Sequence, residues 1–154
     1  GHMLPAPAIV SDVDLGRRLR NEPSVARTLA VAPRSDVLVF SPGVLEEESV
    51  LVRSGFLTER GMERLRAMGA VTDIFSRFLD MSGEPVSQEL EERTIAIPLD
   101  AVRQAKRSVA VASSLVKAVP MLVAMRSRLA TVAVVDEELA KEILLLGRLG
   151  AEGH

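Results

Sequence analysis

Lys117, Asp136 and the serines at 41, 113 and 114 are the side chains best placed to do chemistry in this 154-residue chain. Lys117 stands in the run Ser113-Ser114-Leu115-Val116-Lys117-Ala118-Val119-Pro120. Proline lacks an N–H and is tolerated only in a helix's first turn, so Pro120 predicts a helix from about Ala118 with Lys117 at its positive end. Free N–H groups, a helix dipole and an ammonium together make an anion site, with phosphate the usual anion. Ser113 and Ser114 add hydroxyl donors, and a merely solvated lysine is the plain alternative. Asp136 follows an apolar run and precedes a helical stretch. It can cap that helix, or it can accept hydrogen bonds from ligand hydroxyls as carboxylates do in sugar sites; one side chain can serve both ends. Glu137 comes next on the same edge. In Ser41-Pro42-Gly43 the glycine lets backbone approach a ligand, unless the segment is an ordinary turn. Asp73 and Asp80 flank Phe75–Phe78 and could pair for acid–base work; the plainer reading makes one a turn residue and the other exposed.

What is missing narrows the chemistry. The chain has no Cys, Trp or Tyr, and its two histidines are His2 and His154. Gly1-His2-Met3 reads as a tag remnant, so residues 1–3 are set apart from the fold. Without internal Cys or His, the usual zinc sites, a cysteine nucleophile, a Ser–His–Asp triad and a disulfide framework are all excluded, and no metal or cofactor is called for. Nineteen Lys and Arg against 21 Asp and Glu leave a net charge of −2, which is no electrostatic footprint for nucleic acid. The apolar runs fall far short of the ~20 residues that cross a bilayer, and no secretory signal is visible. A soluble, cytoplasmic chain that does not engage a membrane is expected.

The elements that must position these residues alternate. Val37–Phe40, Val109–Ala112 and Val132–Val135 are continuous apolar runs, as in strands buried on both faces of a parallel sheet. Residues 70–74 and 94–97 are weaker strand candidates, and 8–10 is a further one. Helices are predicted after Asp12 to about Asn21, from Pro23 to about Val31, after Thr58 with Met62, Leu65 and Met68 on one face, over about 119–128, and after Asp136 with Leu139, Ile143 and Leu146 inward. Segments 42–57 and 80–92 are open apart from a turn at Ser82-Gly83-Glu84-Pro85. Residues 46–48 and 89–93 read as solvated faces. Arg126 and Arg128 fall late in a helix, and the six methionines read as core filler. The pattern is α/β: an open, mostly parallel, Rossmann-like sheet flanked by helices, in a single domain over 4–150. In such sheets ligands bind at the carboxyl ends of the strands. Ser41-Pro42-Gly43, Ser113 to Lys117 and Asp136-Glu137 all follow strands, so they converge there.

Five blocks carry a resemblance. They are Ser49 to Thr58; Gly69 to Asp80 with a glycine turn at Gly83; Arg93 to Leu99; Val111 to Ala118; and Val134 to Ala140. In order and spacing they resemble the C-terminal effector-binding domain of the SorC-type sugar-binding transcriptional regulators, over about Leu4 to Leu146. The resemblance implies a fold similar to the sugar-phosphate isomerase and CoA-transferase superfamily. It also implies binding of phosphorylated sugars without turnover, and an oligomer whose change alters operator affinity. The family's phosphate-contacting Lys matches Lys117, and its Asp after the last strand matches Asp136. The ligand set implied is Ser41, Gly43, Asp73, Ser113, Ser114, Lys117, Asp136 and Glu137, with no catalytic residue.

The departures are specific. Ser41-Pro42-Gly43 replaces Gly-hydrophobic-Gly, Thr72 and Ser76 replace glycines, Ser113-Ser114 replaces a glycine pair, and Val135 replaces Thr. The family's helix-turn-helix has no counterpart here, so DNA would be reached only through a domain this chain lacks. The family's earlier strand-helix portion also has no counterpart, which reads as a domain shortened at its N-terminal side and inclined to homo-oligomerise. Two other functions fit the residues. One is a sugar-phosphate isomerase using Asp73, Asp80 or Asp136 as base and Lys117 as anchor. The other is an oligomerisation module with a vestigial pocket.

Overall fold

The computed structural model describes residues 3–46, 50–53 and 55–149. In chain order its elements are α1 (Val13–Asn21), α2 (Pro23–Leu29), β1 (Leu38–Phe40), α3 (Val50–Arg53), α4 (Glu59–Ala67), β2 (Thr72–Ile74), β3 (Arg77–Leu79), α5 (Gln88–Arg93), α6 (Leu99–Arg103), β4 (Ser108–Ala112), α7 (Ala118–Arg126), β5 (Val132–Val135) and α8 (Glu137–Leu149). Single 3₁₀ turns cover Ala32–Arg34 and Leu115–Lys117. Four helices start where capping chemistry dictates. Asp12, Thr58, Ser87 and Asp136 each accept a hydrogen bond from the backbone N–H three residues on, at Leu15, Gly61, Leu90 and Leu139. Pro23 opens α2 at its first position.

β1, β4 and β5 form a parallel sheet in that order, so the strand from the middle of the chain is central. One face is covered. Leu38, Phe40, Ala110, Ala112, Ala133 and Val135 turn toward α7 and α8, around a core that includes Met121, Leu129, Leu139 and Ile143. Alanines at the middle of this face let α7 lie close. α7 is buried almost all round, from Ala118 through Ala124.

The other face is bare among the described residues, against the expectation of strands buried on both sides. Val39 is 66% exposed, Val134 51%, and Val37, Val111 and Val132 about two fifths. Val39 pairs with Val109, Val109 with Val132, and Val111 with Val134, so the valines form one ladder across the three strands. An unbroken apolar run is the pattern of a strand built for two covered faces, but here no described element lies on the second.

β2 and β3 form an antiparallel hairpin, which the open sheet reading did not foresee. Its two-residue turn, Phe75-Ser76, has φ of 52° and 61°, the primed turn that matches strand twist and ordinarily takes Asn-Gly. Arg77 then enters the interior at 5% exposure. It donates to Glu91 Oε1 (2.7 Å), to the Ile97 carbonyl (2.7 Å) and to the Ala96 carbonyl (3.4 Å). That explains why 94–97 is not a strand. The carbonyls of Ala96 and Ile97 are taken by this guanidinium and that of Thr94 by Arg20, and among the described residues its one ladder contact is an isolated bridge from Thr94 to Ile9. The 8–10 segment is reduced to the same bridge.

Other expectations are corrected locally. Glu91 leaves the supposed solvated face of 89–93 to pair with Arg77. Met68 is exposed, and only Met62 and Met121 of the methionines are core. Arg128 lies beyond α7, at φ 60°. The open segments hold α3 and α5, and α6 was unforeseen. Glu46 is exposed, while Glu47 and Glu48, with Ser49 and Ser54 of the first resemblance block, lie outside the described residues.

A serine held at a left-handed φ costs about 1–2 kcal/mol relative to glycine. Ser76→Gly is therefore expected to raise the unfolding free energy by about 1 kcal/mol, seen as a higher urea midpoint at unchanged slope. Ser76→Val should lower it.

Candidate functional site

Parallel strands with right-handed crossovers bring their following loops to one edge. At the carboxyl ends of β1, β4 and β5 lies a cleft of about 770 Å³, walled by Ser41, Ser113, Lys117 and Asp136 over a floor that includes Val111 and Val134. Four of the eight residues singled out in the sequence therefore line one open cleft. α7 begins at Ala118 with Lys117 in the preceding position, as Pro120 required.

Lys117 crosses the cleft to the loop after β1. Its ammonium donates to the Pro42 carbonyl (2.5 Å) and lies 3.5 Å from Ser41 Oγ. Both are neutral acceptors, and among the described residues Lys117 forms no ion pair. Pro42 was not anticipated as a partner.

Gly43 serves the site differently from the expected approach to a ligand. It exchanges backbone hydrogen bonds with Asp73 (2.7 and 3.4 Å), and Thr72 Oγ1 donates to its carbonyl at 2.8 Å. A Cβ on Gly43 would stand 1.5 Å from Asp73 Oδ1. The absent side chain thus makes room for the Asp73 carboxylate. Phe40 and Phe75 close the same junction with ring centroids 5.1 Å apart. Burial pushes the Asp73 carboxyl above its usual value, against the pull of the Lys117 charge and the Ser76 N–H.

Asp136 links two elements. Oδ1 caps α8 through Leu139 N–H at 2.8 Å, and Oδ2 accepts the Ser114 N–H at 3.3 Å. These backbone bonds, Leu139 first and Ser114 after it, hold its carboxyl below the usual range. Ser114 sits at φ 85°, ψ 134°, a region that L side chains rarely enter. Glu137 lies apart from the cleft and pairs with Lys141 along α8. Asp73 and Asp80 do not form an acid–base pair. Asp80 accepts from Ser82 Oγ and from the N–H groups of Ser82 and Glu84 within its own turn, and these bonds hold its carboxyl low. No group of His, Cys, Asp and Glu among the described residues is disposed to hold a metal ion. No described helix is long and apolar enough to cross a membrane.

Gly43→Ala must displace the Asp73 carboxylate and is expected to cost about 1–3 kcal/mol. Asp73→Ala should relieve most of that cost, giving a coupling of about 1 kcal/mol or more in a double-mutant cycle measured by urea unfolding. A carboxyl whose folded pKa exceeds its unfolded value contributes fully below the unfolded pKa, and that contribution is lost as pH rises through the folded one. Wild-type stability should therefore fall, relative to Asp73→Asn, as pH climbs from the ordinary value of 3.8. A constant difference across pH would contradict this assignment.

Residues 1–145 match the family model described as "Putative sugar-binding domain". The chain is 31% identical over 147 residues to the transcriptional regulator LsrR of Enterobacter sp. (strain 638), covering 94% of this chain and 46% of that protein. Among solved structures it superposes on a DeoR family transcriptional regulator from Listeria monocytogenes with a TM-score of 0.84 and 25% identity, covering 91% of this chain and 57% of the other. The fold also matches part of the full-length sorbitol operon regulator SorC from Klebsiella pneumoniae, with a TM-score of 0.79, 23% identity, and 91% and 45% of the two chains covered. The chain spans about half the length of the curated relatives it matches. These homologues are transcriptional regulators carrying sugar-binding domains, not enzymes, which removes the support for the isomerase reading. With its parallel sheet and its cleft at the strands' carboxyl edge, the chain belongs to the sugar-binding-domain family of SorC/DeoR-type transcriptional regulators.

Proposed function

We propose that the cleft binds a phosphorylated sugar as an effector, without turning it over, in a larger regulator that reaches DNA through a separate domain. The observation that carries this is Lys117. It stands immediately before α7, its hydrogen bonds among the described residues go to neutral acceptors, and it shares its cleft with Asp136, whose carboxyl is held low. An ammonium on a carbonyl exchanges readily for one on a phosphate oxygen, because the charge-assisted bond is the stronger. Ser113 adds a hydroxyl, while Asp136 and Asp73 are suited to sugar hydroxyls. Gly43 acts by seating Asp73, and Ser114 through its N–H. Glu137 faces Lys141 and contributes charge near the cleft rather than contact. Self-association belongs to the same proposal. The valine ladder is bare and β5 is an edge strand among the described residues, which supports pairing with further polypeptide. The proposed setting is the cytoplasm, where such an effector and an operator would meet.

Thermal unfolding against a panel of sugar phosphates and their parent sugars tests the reading. A true effector at a hundred times its Kd should raise Tm by about 5 °C or more. Its dephosphorylated sugar should do much less, and Lys117→Ala should abolish the response at unchanged circular dichroism. A response to parent sugars that survives Lys117→Ala would refute the phosphate reading.

A further inference from the structure

Arg77 and Glu91 form an ion pair in the interior, and neither partner is fully matched. The Arg77 residue is 5% exposed, and a guanidinium carries five N–H donors. Three are placed: Nε on Glu91 Oε1 (2.7 Å), one Nη on the Ile97 carbonyl (2.7 Å), and the other Nη on the Ala96 carbonyl at a long 3.4 Å. The remaining N–H groups have no acceptor among the described residues. On the carboxylate, Oε2 is buried and has no hydrogen-bond partner there either. Native proteins seldom leave buried polar atoms in this condition.

Beside the pair lies a cavity of about 10 Å³, lined by Arg77, Glu91, Ser87 and Thr94 together with Phe78 and Leu90. Its two hydroxyls still have hydrogen-bonding capacity. Ser87 Oγ accepts the Leu90 N–H at 3.3 Å, so its own hydrogen is uncommitted among the described residues. Thr94 Oγ1 donates to the Leu90 carbonyl at 2.8 Å, so its lone pairs are open.

We propose that this cavity is the binding site of a single internal water, which accepts from Arg77 and donates to Glu91 Oε2. Size, charge and hydrogen bonding each select the occupant. The space is that of about one water molecule. The pair is neutral as a whole, so a cation there would face the guanidinium and an anion the carboxylate. The unmatched atoms are donors on one side and an acceptor on the other, so the occupant must both accept and donate. A neutral group of one heavy atom that does both is water. Ser87 or Thr94 supplies a further partner, which brings the water to the roughly three hydrogen bonds usual for internal sites. The water thereby joins β3 to α5, directly behind the strand that carries Asp73, since Asp73 pairs with Phe78 across the hairpin.

A crystal structure that orders internal waters, together with water–protein NOE and ROE spectra, tests this on the wild-type protein. A density peak is expected within about 3.2 Å of both Glu91 Oε2 and an Arg77 Nη. Arg77 Hε should show solvent NOE and ROE peaks of opposite sign, the mark of a water that stays longer than the molecule takes to tumble. Glu91→Gln keeps polar atoms at both positions and should retain the peaks. Glu91→Met removes the acceptor and should lose them; if that variant does not fold, the wild-type measurements decide alone. Three results would overturn the proposal. One is density that places Oε2 directly on an Arg77 Nη, with no water between. Another is a Glu91 carboxyl carbon-13 shift of the protonated acid at neutral pH. The third is the lack of a solvent peak at Arg77 Hε, or its survival in folded Glu91→Met.

Discussion

The cleft depends on a side chain that is not there. Because residue 43 has no Cβ, the loop after β1 can exchange backbone hydrogen bonds with Asp73 while the Asp73 carboxylate lies against the glycine itself. That contact joins the sheet to the β2–β3 hairpin, and the hairpin in turn carries Arg77 into the interior, to Glu91 and the carbonyls of Ala96 and Ile97. It also fixes where Pro42 presents its carbonyl, and hence where Lys117 comes to rest. A methyl group at 43 would be felt along this whole chain of contacts, from the strand edge to the cation.

The residues most legible in the sequence were those governed by local rules. Asp12, Thr58 and Asp136 cap the helices that follow them, Pro120 sets the start of α7, and three β-branched runs become the three parallel strands. From those strands alone the convergence of Ser41, Ser113, Lys117 and Asp136 follows, because the loops of parallel strands share an edge. What stayed hidden was decided at long range. The run at 94–97 has strand-like residues, but a guanidinium from a distant turn takes its carbonyls. The hairpin was hidden because its turn reads Phe-Ser where the usual signal is Asn-Gly. The bare valine face was illegible for another reason: an unbroken apolar run specifies that both faces suit burial, and is silent on whether an element arrives to cover each one.

The resemblance to the family is conformational as much as compositional. The sequence carries serine at 76 and at 114, where the resemblance to the family leads one to expect glycine. Both serines nevertheless keep positive φ. The backbone path that glycine would make easy is retained, and the surrounding hydrogen bonds hold it: the hairpin ladder around Ser76, and the Asp136 carboxylate on Ser114 N–H.

Two carboxylates shifted in opposite directions are a familiar arrangement in acid–base catalysis, but the surroundings of Asp73 and Asp136 do not suit that use. Burial raises Asp73, against the Lys117 charge and a backbone N–H in the hairpin turn. Asp136 is lowered by two backbone N–H groups and is bound at once to a helix start and a loop. A catalytic base must approach and leave a substrate proton, and its partners must allow the change of charge. Asp136 is tied down by donors that favour only its ionised form, and Asp73 is enclosed by the loop that Gly43 makes possible. Such groups hold a ligand in register better than they move protons, which is the chemistry expected of a domain whose relatives regulate transcription instead of catalysing a reaction.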